Sequence, residues 1–224
     1  MTTPYYSDDL VTLYHGDCRE VTEWLAADVL VTDVPYGVAY ATRDGLRVKG
    51  DLDFTAATAA IAAWGARPMA VFANHASLPR TLEAVCAQLD RVRVATWHKT
   101  NVNGGTPGNP WLADVEFAVC GVVEWPNTPV SALMPARRTT GNPAWQSRPD
   151  AYLHPTQKPI DLMDQLVAAM PPGTVADPFA GSGSTLVAAK RCGRRSIGVE
   201  IDEAHAETAA KRLAQGVLDF GASA

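Results

Sequence analysis

Short apolar runs alternate with longer amphipathic ones along most of the chain. LVTLYHGD (10–17), DVLVTD (28–33), PMAVFAN (68–74), VRVATWH (92–98), VEFAVCGVV (115–123), GTVADP (173–178) and RSIGVE (195–200) are short and mostly rich in β-branched residues, which predicts strands. Between many of them, CREVTEWLA, TAATAAIAAWG, SLPRTLEAVCAQL, KPIDLMDQLVAAM, GSTLVAAKRC and DEAHAETAAKRLAQG repeat their apolar residues at helical spacing. Ser77 with Pro79 reads as a helix start, and Gly193 and Gly216 read as helix ends. Nearly continuous hydrophobic strands joined by helices predict an α/β fold with a doubly wound, mostly parallel sheet. VEFAVCGVV follows a long polar stretch and is expected as one antiparallel strand near the sheet edge.

Two stretches break the pattern. KTNVNGGTPGNPWLAD (99–114) and the run from Glu124 to Pro159 are dense in Gly, Pro, Asn, Arg and Trp. Irregular segments this long inside a compact domain are usually functional or disordered, and Trp111, Trp125 and Trp145 argue against disorder.

Composition narrows the class. With 224 residues, 47% of them hydrophobic, the chain can bury one ample core and is read as a single domain over 1–224. The start MTTPYYSDD carries no signal pattern and no membrane-length apolar run follows, so a cytoplasmic protein away from membranes is expected. Cys18, Cys86, Cys120 and Cys192 are widely spaced, which speaks against a zinc site or a disulfide framework, and no metal is expected. The net charge of −5 looks unfavourable for nucleic acid, yet Arg137, Arg138, Arg148 and Lys158 concentrate positive charge in one region.

The most specific chemistry lies in VADPFAGSGSTLVAAKRCGRRSIGVEID. An apolar strand ends at Asp177, and Pro178, Phe179, Ala180, Gly181, Ser182, Gly183, Ser184 and Thr185 form a small-residue turn into a helix. Gly181 and Gly183 permit close backbone approach to a ligand, and Glu200, followed by Ile201, closes the next strand over the same crevice. A third glycine in dinucleotide spacing is absent, and no Gly-Lys-Ser/Thr follows for a phosphate loop. A nucleoside carrying an amino acid suits the pattern better. Asp177 can hold an amine, loop amides can face a carboxylate, and Glu200 can accept from ribose hydroxyls; S-adenosylmethionine carries all three groups. The bland alternative is a tight strand-turn-helix packed on glycine.

DPFAGSGST followed by GVEID, preceded by HPTQKP and, far upstream, by a D-x-P-Y box at Asp33, resembles the permuted β-class of amino-DNA methyltransferases. The likeness runs from Leu13 to about Leu213 and is weakest over 100–150. It implies a Rossmann-like methyltransferase sheet, S-adenosylmethionine as cofactor with S-adenosylhomocysteine as product, double-stranded DNA as partner, and methylation of adenine N6 or cytosine N4. It further implies contacts from Asp17 and Cys18 to the cofactor's adenine end, and from Thr156 and Lys158 to its methionine end. Read on their own, Asp17 is a sound helix N-cap and Pro155 and Pro159 are helix punctuation.

The box itself suits the chemistry. An exocyclic amine is a poor nucleophile because its lone pair is delocalised into the ring. Asp33 can accept one of its hydrogens and later its surplus proton, and the Val34 carbonyl can accept the other. Pro35 stiffens the backbone, and Tyr36 can stack on a base swung out of the duplex. The family's usual box has proline at position 34, so valine is a departure that bears on turnover. Adenine N6 is favoured over cytosine N4 on family pattern, and a catalytically weak nucleic-acid-binding relative is the non-enzymatic alternative. Methylation of RNA or of protein amides is a further enzymatic alternative. Cytosine-C5 methylation needs a thiolate after proline, and none of the cysteines follows one.

Residues 99–150 are expected to recognise the target, with Lys99, Asn101, Arg137, Arg138, Gln146 and Arg148 as DNA contacts. So short a recognition region leaves room for a homodimer. A restriction-modification role is expected to use a separate endonuclease, because no nuclease motif is present.

Overall fold

The structure, a computed structural model, describes residues 2–37, 54–100, 112, 114–124, 130–137 and 157–215. Its strands are β1 (Tyr6–Ser7), β2 (Val11–His15), β3 (Val29–Thr32), β4 (Met69–Ala73), β5 (Arg91–Lys99), β6 (Val115–Val122), β7 (Leu133–Ala136), β8 (Val175–Asp177) and β9 (Ser196–Glu200). Its helices are α1 (Thr55–Trp64), α2 (Leu78–Cys86), α3 (Ile160–Ala169), α4 (Ser184–Arg191) and α5 (Glu203–Ala214).

One nine-stranded sheet runs in the order β1-β2-β9-β8-β3-β4-β6-β5-β7. β1 and β6 oppose the other strands, and every remaining neighbour pair is parallel. The expected doubly wound sheet is therefore present, with two differences. VEFAVCGVV is antiparallel but interior, filed between β4 and β5, because both of its faces are apolar and can be covered. β1 adds a short antiparallel edge, tied by Tyr5 N donating to Leu13 O at 2.8 Å.

Both faces of the sheet are buried at its centre, in β3, β4 and β8, which explains their continuous apolar runs. In β3, Leu30 packs with Trp24, Ile61 and Trp64 on the α1 side, whereas Val29 and Val31 pack with Leu162, Leu166 and Ala188 on the α3–α4 side. β4 divides likewise, with Met69 and Val71 on one side and Ala70 and Phe72 on the other. A third cluster seats α5 through Ala206, Ala209 and Leu213 on Val11 and Leu13.

Local differences have local causes. The helix expected over CREVTEWLA is only a 3-10 turn at Glu23–Ala26. The Asp17 carbonyl there accepts from both Glu20 and Val21, and the Trp24 indole donates to the Cys18 carbonyl, so the chain tightens before a helix can run. Pro79 does lie in the first turn of α2, but the orphan amides of Ala76 and Ser77 are met by Asn74 Oδ1 rather than by the Ser77 side chain. β7 arises inside the stretch expected to be irregular, with Met134 and Ala136 turned inward. The Gly216 stop lies outside the described residues.

Candidate active site at the carboxyl edge of the sheet

From β3 the chain winds to β4 on one side, and from β8 it winds to β9 on the other. The crevice at the carboxyl ends of β3 and β8 is thus a switch in strand order, the place where open α/β sheets hold ligands. Asp177 closes β8 and Asp33 follows β3 directly, so the two acids predicted from distant motifs share this crevice.

Asp177 is buried, at 2% exposure, and one carboxyl oxygen accepts from Thr32 Oγ1 at 2.7 Å and from the Phe179 amide at 3.1 Å. Burial pushes it up to about 7, against bonds from Thr185, Thr32 and the Phe179 amide that favour the charged form. It has no cationic partner among the described residues.

The turn that follows is shaped by two glycines. Gly181 has φ +53°, and a Cβ there would meet nothing within 4 Å, so its surface is open. Gly183 has φ +81°, and a Cβ would come within 2.9 Å of the Ala209 Cβ, so glycine lets α5 press against the turn. Glu200 Oε2 accepts from the Gly181 amide at 2.7 Å and Oε1 from the Asp202 amide at 2.8 Å. The Gly181 amide is therefore committed to Glu200 rather than offered to a ligand carboxylate. From α5, Arg212 donates to the Ser182 carbonyl and reaches Ser182 Oγ at 3.2 Å. Pro178, Ala180, Ser182, Ser184 and Thr185 are buried within this turn, and Ile201 is exposed beyond it.

Asp33 sits in a second cluster. Tyr36 Oη donates to Asp33 Oδ1 at 2.8 Å, and Lys158 Nζ lies 2.6 Å from Oδ2. Lys158 also reaches Tyr36 Oη and Glu116 Oε2, each at 3.2 Å, and Lys99 Nζ lies 2.8 Å from Glu116 Oε1. Burial holds the Asp33 carboxyl above its ordinary range although Lys158 draws it down; Lys158 stays an ammonium because Asp33 and Glu116 outweigh its burial. Burial, then the charges of Asp33 and Glu116, push the Tyr36 phenol well up, so it remains a donor. The Val34 side chain is buried in the core beneath the box.

Lys158, expected beside the cofactor, thus lies on Asp33, and Lys99, expected to touch DNA, is turned inward onto Glu116. Glu116 was not picked out from the sequence: within an apolar strand a lone acid reads as a solvent-facing residue. Ser184 Oγ donates to the Lys158 carbonyl at 3.0 Å, which joins the glycine turn to the HPTQKP segment. Asp17 is half-buried and held by the Arg19 guanidinium, whose hydrogen bonds keep its carboxyl below the usual range. Cys18 is buried, and burial pushes its thiol up to about 11, which makes it inert. Arg137 follows β7, exposed. Thr156, Asn101, Arg138, Gln146 and Arg148 lie outside the described residues, as does most of 99–150. No cluster of metal-ligating side chains occurs among the described residues, and no helix there is long and apolar enough to cross a membrane.

A family model described as DNA methylase matches residues 69–211, which takes in Glu116, Lys158, the glycine turn and Glu200. YubD of Escherichia coli (strain K12) is 28% identical over 236 residues, spanning 93% of each chain. The type II methyltransferase M.ScaI of Streptomyces caespitosus is 25% identical over 260 residues, covering 94% of this chain and 83% of its own. Among solved structures, the M1.HpyAVI–SAM complex aligns with a TM-score of 0.68 at 22% identity, over 91% of this chain and 99% of that one. PvuII DNA methyltransferase (cytosine-N4-specific) aligns with a TM-score of 0.68 at 17% identity, over 99% and 91%. At these identities the structural likeness speaks for the fold.

Proposed function

Since the chain belongs to the DNA methylase family, we propose that it methylates an exocyclic amino group of a base in double-stranded DNA, adenine N6 in the first place, with S-adenosylmethionine as donor. The observation that carries this reading is the pairing of Asp33 and Asp177 at adjacent strand ends, joined through Thr32.

The crevice fits the cofactor. Asp177 is a buried carboxyl that no cation among the described residues touches, suited to the amine of the methionine moiety, and the open face of Gly181 admits a ligand against the backbone. Glu200 keeps lone pairs for ribose hydroxyls, and Asp17 stands at the end of β2, the side assigned to the adenine. When bound, the cofactor supplies a methyl carbon already activated by its sulfonium.

The protein's own residues then act on the amine. The target base leaves the duplex, because its amino group is out of reach inside the stack. Asp33 accepts one amino hydrogen and the Val34 carbonyl the other, which frees the nitrogen lone pair. As the nitrogen gains its new bond to carbon, its surplus proton passes to Asp33. Tyr36 supports this by donating to Asp33 Oδ1, and its ring is suited to stack on the displaced base.

Incubation with labelled methyl donor and unmethylated duplex DNA, followed by mass spectrometry of the nucleosides, tests the reading. N6-methyladenine is expected; N4-methylcytosine would move the assignment to cytosine, and no modified base across diverse DNA would overturn it. Asp33→Ala should abolish transfer while cofactor binding persists.

A further inference from the structure

Lys158, Asp33, Glu116 and Lys99 form an alternating row of charges that the proposed reaction does not by itself explain. The row runs Asp33–Lys158 at 2.6 Å, Lys158–Glu116 at 3.2 Å and Glu116–Lys99 at 2.8 Å. Lys158 and Lys99 are 6% and 8% exposed, so these are interior ion pairs rather than surface ones. Interior ion pairs are costly to assemble and weak as a source of stability, which invites a reason beyond folding.

We infer that Lys158 is a positioning residue for Asp33: its ammonium, held in place by Glu116, keeps the Asp33 carboxyl ionised and fixes its orientation before the base arrives. This rests on the reading of Asp33 as the acceptor of the amine. The geometry supports it on each side. Oδ1 takes the Tyr36 hydroxyl and Oδ2 takes the Lys158 ammonium, so the carboxyl cannot rotate. Each oxygen has two lone pairs, so acceptor capacity remains for an amino group. The Ser184 hydroxyl fixes the Lys158 main chain at its carbonyl, and Glu116, itself neutralised by Lys99, fixes the ammonium.

The need for such a device follows from the crevice. Asp33 is flanked by Glu116 from β6, Tyr36 from its own loop and Asp177 from the end of β8. Burial, and after it the Glu116 carboxylate, favour a neutral Asp33, which would carry a proton where an acceptor is required. Among the described residues Lys158 is the cation that touches Asp33. A protonated Asp33 would present a hydroxyl to the amine and could not take its surplus proton.

Carbon-13 labelling of the aspartate carboxyls, with Asp33→Asn to assign the resonance, reads the Asp33 titration directly in cofactor-free protein. In Lys158→Gln the titration moves to higher pH, and in Lys158→Arg it stays near wild type. The same variants report in the pH profile of kcat/KM: the acidic limb of Lys158→Gln moves to higher pH, so the ratio of wild type to Lys158→Gln grows as pH falls. Lys158→Gln leaves two buried acids poorly compensated, so the double variant Lys158→Met/Glu116→Gln, which removes both charges together, provides a folded counterpart. Lys158 touches Asp33 directly, at 2.6 Å, so the double variant's titration also moves up. An unmoved Asp33 titration in either folded variant overturns the inference. A wild-type protein that methylates no amino base overturns the function above, while the carboxyl titration still decides the role of Lys158.

Discussion

The Thr32 hydroxyl donates to an oxygen of Asp177 at 2.7 Å, joining the last residue of β3 to the last residue of β8 across 145 positions of chain. Thr32 is the residue before Asp33, so one hydrogen bond ties the acceptor box to the cofactor crevice.

Asp177 makes cofactor binding pH-dependent. Burial pushes its carboxyl up to about 7, so in the free protein it keeps a proton that a bound amine would displace. Affinity for S-adenosylmethionine should rise by about tenfold between about pH 6 and about pH 8, with proton uptake by the buffer on binding. Titration calorimetry in buffers of differing ionisation enthalpy measures both, and Asp177→Asn should flatten the dependence. The sign for stability is opposite. The folded chain holds this proton to higher pH than the unfolded chain, so its contribution falls as pH rises through about 7.

Glu200→Gln should weaken cofactor binding and the fold together. Both carboxylate oxygens accept main-chain amides, from Gly181 and Asp202, and a carboxamide must turn its NH2 toward one of them. A lost bond to a charged acceptor of this kind costs about 1–3 kcal/mol. Chemical denaturation and cofactor titration on the same variant give the two numbers.

Arg212→Ala tests the glycine turn from behind. Arg212 touches Ser182 rather than the crevice, yet its removal releases the carbonyl and hydroxyl that hold the turn against α5. Cofactor affinity should drop by several-fold, about 1 kcal/mol, while the sheet stays intact by circular dichroism.

Val34→Ala should destabilise the protein by about 2 kcal/mol, read as a lower midpoint in denaturant, because it strips two methyl groups from a packed site. Val34 is 3% exposed in the cluster that holds Trp24 and Trp64. The valine that stands in place of proline therefore contributes its side chain to the core.

The sequence made the strand ends legible because their signals are local: Asp33 and Asp177 close apolar runs, and Gly181 and Gly183 announce a turn. The partners of those residues were not legible. Glu116 lies at the start of an apolar run, and only the reversal of β6 brings it to Lys158. Lys158 sat in a motif whose neighbours suggested the cofactor, but its side chain turns to Asp33, more than a hundred positions upstream. The interior position of β6 and the strand β7 likewise depend on pairing between distant segments, which hydrophobic periodicity does not encode.

The reversal of β6 has one more effect. A strand running against its neighbours begins where they end, so β6 starts at the carboxyl edge, with the Lys99 amide donating to the Asp114 carbonyl at 2.7 Å. β5 therefore ends, and β6 begins, at the edge of the sheet that carries Asp33. Arg137, which follows β7, lies at the same edge. An antiparallel strand thus delivers Glu116, its second residue, to the same edge that its parallel neighbours reach only at their ends.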